Sequence, residues 1–270
     1  MLVDSHCHLD FLADPARSVE RALDAGLSAI VVPAVCPEHF GRVTALARAH
    51  PSVYYLLGLH PCYVDCLKDN ALEILKSAAW TAQDDPKFLG IGEIGLDFFV
   101  PNLNRDRMQD LYIAQLKLAR DLNRPVVLHV RSAVDQVSAG LRRIGIHRGI
   151  AHAFNGSLVQ AGRLIDQGLC LGFGGASTFS RATRLQSLVK TLPLQGLVLE
   201  TDSPDIAPAW LAKGEQNEPH QLARIARFVA SSRGLEFAEL ACATSQNAAR
   251  VLGPPGGLWS SSSALPSNTH

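Results

Sequence analysis

The stretch "LVDSHCHLD", residues 2–10, decides between two folds. A short apolar run feeding a polar turn can open either a doubly wound sheet or a closed barrel of parallel strands. In the doubly wound case a Gly-rich phosphate loop follows the first strand. Here the turn carries His6, Cys7 and His8 and has no glycine. The barrel is therefore the simpler reading.

Working outward, apolar runs recur at Leu2 to His6, Ala29 to Pro33, Val53 to Leu59, Leu89 to Ile94, Val126 to His129, Gly149 to His152, Cys170 to Phe173 and Leu197 to Glu200. Each is almost continuously apolar, as expected of strands in a parallel sheet covered by helices. Segments of helical period separate them: Pro15 to Ala25 behind a possible Asp14 cap, Pro37 to Ala49, Asn70 to Gln83, Asn104 to Leu122, Ala133 to Ile144, Leu158 to Gln167 and Arg181 to Leu192. Two more, His220 to Ser232 and Glu236 to Leu252, follow the eighth run. Eight strand-then-helix units predict an α/β fold of the (β/α)8 TIM-barrel type, with residues 1–253 as one domain. The tail 254–270, "PPGGLWSSSSALPSNTH", has no periodicity and is expected to be disordered.

Lys plus Arg equals Asp plus Glu, 25 of each, so no global field draws the chain to nucleic acid or an anionic membrane. Any polyanion must be bound by a local patch. The six cysteines are scattered without a CxxC pair, which argues against a zinc ribbon or a disulfide framework. There is no basic leader followed by an apolar core, and no apolar run approaches the roughly 20 residues that span a bilayer. The expectation is a cytoplasmic protein with reduced thiols, no membrane contact and no obligate protein partner.

Active sites of such barrels lie at the C-terminal strand ends. Those ends carry His6 and His8, His60, Glu93, His129, His152, and Glu200 with Asp202. Residues i and i+2 of an extended chain point the same way, so His6 and His8 can chelate one ion while Cys7 turns into the helix layer. A buried cluster of His, Asp and Glu without a counter-ion is costly, which favours divalent metal, either a borderline ion such as Zn²⁺ or Mn²⁺ or Mg²⁺ held by the carboxylates. The candidates exceed what one ion needs, so two ions are expected. Glu93 is the natural bridge between them, and Asp202 is both a ligand and the group to orient or deprotonate the attacking water. Asp97 could cap or orient the loop after Glu93, and Arg131, two residues beyond His129, could reach a substrate anion. His39, His50, His147, His220 and His270 are read as surface residues.

The motifs "DSHCHLD", "GLHP" at Gly58 to Pro61, "GEIGLD" at Gly92 to Asp97, "LHVRSA" at Leu128 to Ala133, "HAFNGS" at His152 to Ser157, "ETDSP" at Glu200 to Pro204 and "NEP" at Asn217 to Pro219 occur in order. In these the chain resembles the TatD family of metal-dependent hydrolases, over Leu2 to about Leu252. The resemblance implies one metal on His6, His8, Glu93 and Asp202, a second on Glu93, His129 and His152, and His60 in contact with substrate. It also implies a deoxyribonuclease acting from the 3′ end of single-stranded DNA. Glu215 and Gln216 stand where many members carry two cations before "NEP", and Phe98 and Phe99 stand where tyrosines are frequent. The other enzyme the same barrel could house is an amidohydrolase for a small amide, lactone or ester. A nuclease needs cations beyond the metals, whereas a small-molecule enzyme needs a closed apolar cup.

Overall fold

The computed structural model describes residues 1–253; the expected tail lies outside them. The eight apolar runs become β1 (Leu2–Asp4), β2 (Leu27–Pro33), β3 (Val53–Leu57), β4 (Phe88–Asp97), β5 (Val126–Arg131), β6 (Gly149–Ala151), β7 (Leu169–Phe173) and β8 (Leu197–Leu199). They form one sheet in sequence order, every neighbouring pair parallel. Helices α1 (Pro15–Asp24), α2 (Pro37–Ala49), α3 (Ala71–Thr81), α4 (Arg105–Asp121), α5 (Val134–Ile144), α6 (Leu158–Asp166) and α7 (Thr183–Thr191) connect successive strands, and α8 (Leu222–Arg233) and α9 (Phe237–Leu252) follow β8. The expected (β/α)8 barrel is the fold. Among the described residues no helix is long and apolar enough to cross a membrane.

Local chemistry sets the helix ends. The Asp14 carboxylate accepts the Arg17 amide at 3.1 Å, with Pro15 in the first turn of α1. Ser157 and Gln160 form a reciprocal capping box at the start of α6. Along α5 the buried positions Val134, Val137, Leu141 and Ile144 recur every three or four residues, so the helix lays one apolar stripe on the sheet.

Strands β1 and β8 stop earlier than the sequence suggests, at Asp4 and Leu199, because the polar residues beyond them bond across the closing seam instead of along a ladder. Ser5 N–H donates to the Leu199 carbonyl at 3.1 Å, Asp202 N–H to that of His6 at 2.9 Å, and His8 N–H to that of Ser203 at 2.7 Å. The buried Asp4 carboxylate accepts the Thr201 amide at 3.0 Å and the Thr201 hydroxyl at 2.6 Å. The seam thus brings His6, His8 and Asp202 together.

The barrel interior holds Val3, Ala29, Val31, Tyr54, Leu56, Leu89, Val127, Ile150, Cys170 and Val198, and the end of α9 adds Ala248, Val251 and Leu252 to this cluster. The last helix is therefore a plug for the barrel, leaving the C-terminal strand ends for chemistry. Cys7 is fully buried in the outer layer between strands and helices. Leu252→Ala would open a cavity in the plug and should cost about 2–5 kcal/mol. The urea midpoint should fall accordingly, and an unchanged midpoint would remove α9 from the core.

Candidate metal centre

β4 carries the central residue. Its ladder to β5 loses register between Ile91 and Ile94, and Glu93 lies in that interruption, which re-aims its side chain. Gly95, at φ +144, passes so close to the His129 carbonyl that a Cβ there would overlap it. Glycine on both sides of Glu93 is what lets this strand end pack against β5, as the sequence suggested.

The Glu93 carboxylate is 1% exposed and its two oxygens face different histidines. Oε2 lies 3.2 Å from His6 Nε2 and 3.3 Å from His8 Nε2. Oε1 lies 3.0 Å from His129 Nδ1, 2.8 Å from His152 Nε2 and 3.0 Å from His60 Nε2. Asp202 Oδ1 completes the first group, 3.4 Å from His6 Nε2 and 3.7 Å from His8 Nε2. All six expected ligand residues are therefore in one cluster, and the donor triads His6–His8–Glu93 and Glu93–His129–His152 each have the spacing to hold an ion. Buried polar atoms without hydrogen-bond partners among the described residues, Glu93 Oε2 included, fit a cation there.

Hydrogen bonds outside the cluster fix which ring nitrogen is bare. The Asp97 carboxylate can only accept, so His129 carries its proton on Nε2, 2.9 Å away, and turns Nδ1 inward. The same carboxylate takes the amides of Phe99 and Val100, so Asp97 both caps the loop and orients the histidine. Burial pushes the Asp97 carboxyl up, but these three donors hold it well below the usual range. His60 is arranged the opposite way. Its Nδ1 accepts the Cys62 amide at 3.1 Å, which leaves the proton on Nε2 and makes the neutral ring a donor toward the cluster. His60, Cys62 and His129 also lie close enough to hold an ion. That tautomer argues against it.

Two buried side chains to which spacing gave no role, a carboxylate and a carboxamide, support the centre. Glu200 is fully enclosed, accepts the Ala153 amide and lies 3.8 Å from His152 Nδ1. Gly172 makes room for it, because a Cβ there would overlap the carboxylate. Burial raises the Glu200 carboxyl to about 8. Asn217, from "NEP", is also buried and donates to the carbonyls of Thr201, at 2.9 Å, and Asp205, at 2.6 Å. Glu218 pairs with Arg21 at 2.8 Å, so this motif braces the loop carrying Asp202 and does not face the cluster.

The remaining assignments differ in part. Arg131 is exposed, with its guanidinium carbon 3.9 Å from the centre of the exposed Phe99 ring, and no carboxylate pairs with it among the described residues. Phe98 instead packs against the core, so only Phe99 of the pair faces the cleft. His39 is not a free surface residue: its Nδ1 lies 2.7 Å from Asp10 Oδ2. His220 is half-buried beside Arg21, Glu218 and Gln221. Both pairings join residues far apart in sequence, which periodicity does not reveal.

The cluster lies in an open cleft of about 930 Å³ whose walls include Arg131, Asp135, Asn155, Gln160, Arg184 and Asp205. A family model described as TatD related DNase matches residues 3–253. The chain belongs to the TatD family. It is 38% identical over 257 residues to the metal-dependent hydrolase YjjV of Escherichia coli K12, covering 94% of this chain and 98% of that one. A Haemophilus influenzae metal-dependent hydrolase is 34% identical, covering 88% and 93%. The crystal structure of YjjV, a TatD homologue, superposes with a TM-score of 0.89 at 37% identity, over 94% of this chain and 98% of that one. This TatD protein is thus a metal-dependent hydrolase.

Burial alone would depress His152, but the Glu93 carboxylate more than offsets it and raises the ring to about 10. The ion-free centre therefore holds a proton on His152 at pH 8, whereas a histidine ligand must be neutral. Titrating Zn²⁺ or Mn²⁺ into apo-protein at pH 8 should release at least one proton per chain, read from the dependence of the binding heat on buffer ionisation enthalpy. Zero release would exclude His152 as a ligand. Asp97→Asn should weaken metal affinity by roughly 10–100-fold, since it removes the acceptor that orients His129.

Proposed function

We propose that this TatD hydrolase is a two-metal deoxyribonuclease that cleaves phosphodiesters near the 3′ end of single-stranded DNA. One observation carries the reading: a single buried carboxylate, Glu93, divides its oxygens between two histidine groups inside an open cleft that also holds uncompensated arginine. The family description, TatD related DNase, supports the same substrate class. The open polar cleft is the wrong shape for a closed apolar cup, so the small amide or ester remains the weaker reading.

His6, His8, Glu93 and Asp202 would hold one divalent ion, and Glu93, His129 and His152 the other; Zn²⁺, Mn²⁺ and Mg²⁺ all suit the donor set. Two such ions, when bound, neutralise the scissile phosphate and lower the pKa of the attacking water. The chain's own residues supply the rest. Glu93 sets the separation of the two positions, and Asp97 fixes the His129 ring. The Asp202 oxygen that does not face His6 and His8 takes the proton from the attacking water, aided by burial that raises this carboxyl. His60 offers its Nε2–H to a non-bridging phosphate oxygen. Arg131, stacked on Phe99, binds the chain at the cleft wall, where the exposed ring gives a nucleobase a surface to stack on. Binding only the terminal nucleotides needs no basic surface outside the cleft, consistent with zero net charge.

The test is degradation of a 5′-labelled single-stranded oligonucleotide in Mg²⁺, Mn²⁺ or Zn²⁺. The reading expects a ladder shortening from the 3′ end, lowered about 10²–10⁴-fold in Asp202→Asn prepared identically. Absence of cleavage by protein shown to carry its ions would redirect the search to small amides and esters. Glu93→Ala should lose metal and activity together, and a full complement of two ions in that variant would sink the bridging role.

A further inference from the structure

We propose that Arg184, held by Asn155, is the binding site for the phosphate next to the one being cleaved, so that the enzyme selects polynucleotide chains over isolated phosphodiesters. The inference rests on the nuclease reading above and adds to it a residue that neither the motifs nor the metal spacing singles out.

Arg131 and Arg184 are the cationic side chains, histidine aside, that line the cleft. Elsewhere on the described surface, some arginines meet carboxylates, Arg21 with Glu218, Arg107 with Asp69, Arg120 with Asp121 and Arg163 with Asp135, and others donate to backbone carbonyls, as Arg148 does to Asn123 and Arg250 to Gln195. Arg184 does neither. Its Nη2 donates to the neutral Oδ1 of Asn155 at 2.5 Å, and no carboxylate pairs with it among the described residues. Asp135, an acid that also lines the cleft, is occupied by Arg163 at 2.7 Å and Gln160 at 3.1 Å. Asp205, on the loop after β8, also lines the cleft and repels an anion on its own side. The uncompensated charge in the cleft is thus that of Arg184 and of Arg131, which stacks on Phe99.

The loop that carries the anchor is tied down on both sides of Asn155. Asn155 sits on the β6–α6 loop, where Ala153 N–H donates to Glu200, Phe154 N–H donates to the Gly172 carbonyl at 3.1 Å, and the Phe154 ring is buried. The Ser157–Gln160 capping box closes the loop on α6. One guanidinium N–H is spent on Asn155, leaving the rest of the planar fork for two phosphate oxygens. Because the fork is already oriented, binding an anion there loses less side-chain freedom than it would on a free arginine.

A matched pair of substrates isolates this contact: the dinucleotide TpT has one phosphodiester, and TpTpT has the same linkage with a neighbour. With Mn²⁺-loaded protein, the wild type should favour TpTpT in kcat/KM, and Arg184→Gln should cut that preference about tenfold, mainly through KM, as expected for loss of a charge-assisted hydrogen bond. Arg184→Lys should restore part of it. Thermal melting and metal content of each variant, matched to wild type, separate this from misfolding. An undiminished preference in Arg184→Gln, or an equal fall on both substrates, would overturn the proposal. A wild type that cleaves TpT but shows no preference for TpTpT would overturn it while leaving the nuclease reading intact; cleavage of neither would remove both.

Discussion

The structure depends on one unfavourable burial. Glu93 is an anion enclosed in a protein interior, where an uncompensated carboxylate is strongly disfavoured. Five imidazoles surround it, and the direction of its shift, well below the ordinary range despite burial, shows that they keep it ionised. When no ion is present a proton on His152 supplies balancing positive charge, whereas burial pushes His6 and His60 toward the neutral form. A divalent cation held by this cluster would supply the same charge. Metal binding and proton binding therefore compete for the same charge deficit.

A parallel barrel is suited to hold such a deficit. It ends eight apolar strands at one rim, so polar side chains can converge there while the strand bodies and the α9 plug exclude water from below. Two placements are demanding. Glu93 needs the interrupted register of β4 together with close packing at Gly95, and Asp202 needs the seam between β1 and β8. Asp4 serves that seam: its carboxylate anchors Thr201, adjacent to Asp202, so the opening strand supports a loop almost two hundred residues later.

That distance explains what could be read beforehand. The strands and the residues His6, His8, Glu93, His129, His152 and Asp202 were legible because they are local signals, apolar runs that stop abruptly at ionisable side chains. Asp97 was half legible: its place beside Glu93 suggested a cap, but its hold on His129 depends on a neighbouring strand. Glu200 could be seen at a strand end, yet its burial against His152 requires the missing side chain at Gly172, two elements away. The Asp10–His39 pair and Arg184 on Asn155 join segments with no shared periodicity: Asp10 and Asn155 lie in the motifs "DSHCHLD" and "HAFNGS", but nothing in the chain marks their partners.

A motif, accordingly, is not always chemistry. "NEP" stands among the most recognisable stretches, but Asn217 spends its amide on the carbonyls of Thr201 and Asp205, and Glu218 spends its charge on Arg21. Its service is mechanical. It fixes the backbone on which Asp202 sits at φ +54, a left-handed conformation unusual for a side-chain-bearing residue. Replacing the basic residues common before this motif by Glu215 and Gln216 therefore need not weaken the centre: Glu215 closes the local turn through the Ala212 amide. On the nuclease reading, the anion-attracting task would fall to the arginines of the cleft walls, where the charge is uncompensated and the cluster is within the same cavity. In a chain with no net charge, the position of two guanidinium groups matters more for a polyanion than the composition of any surface loop.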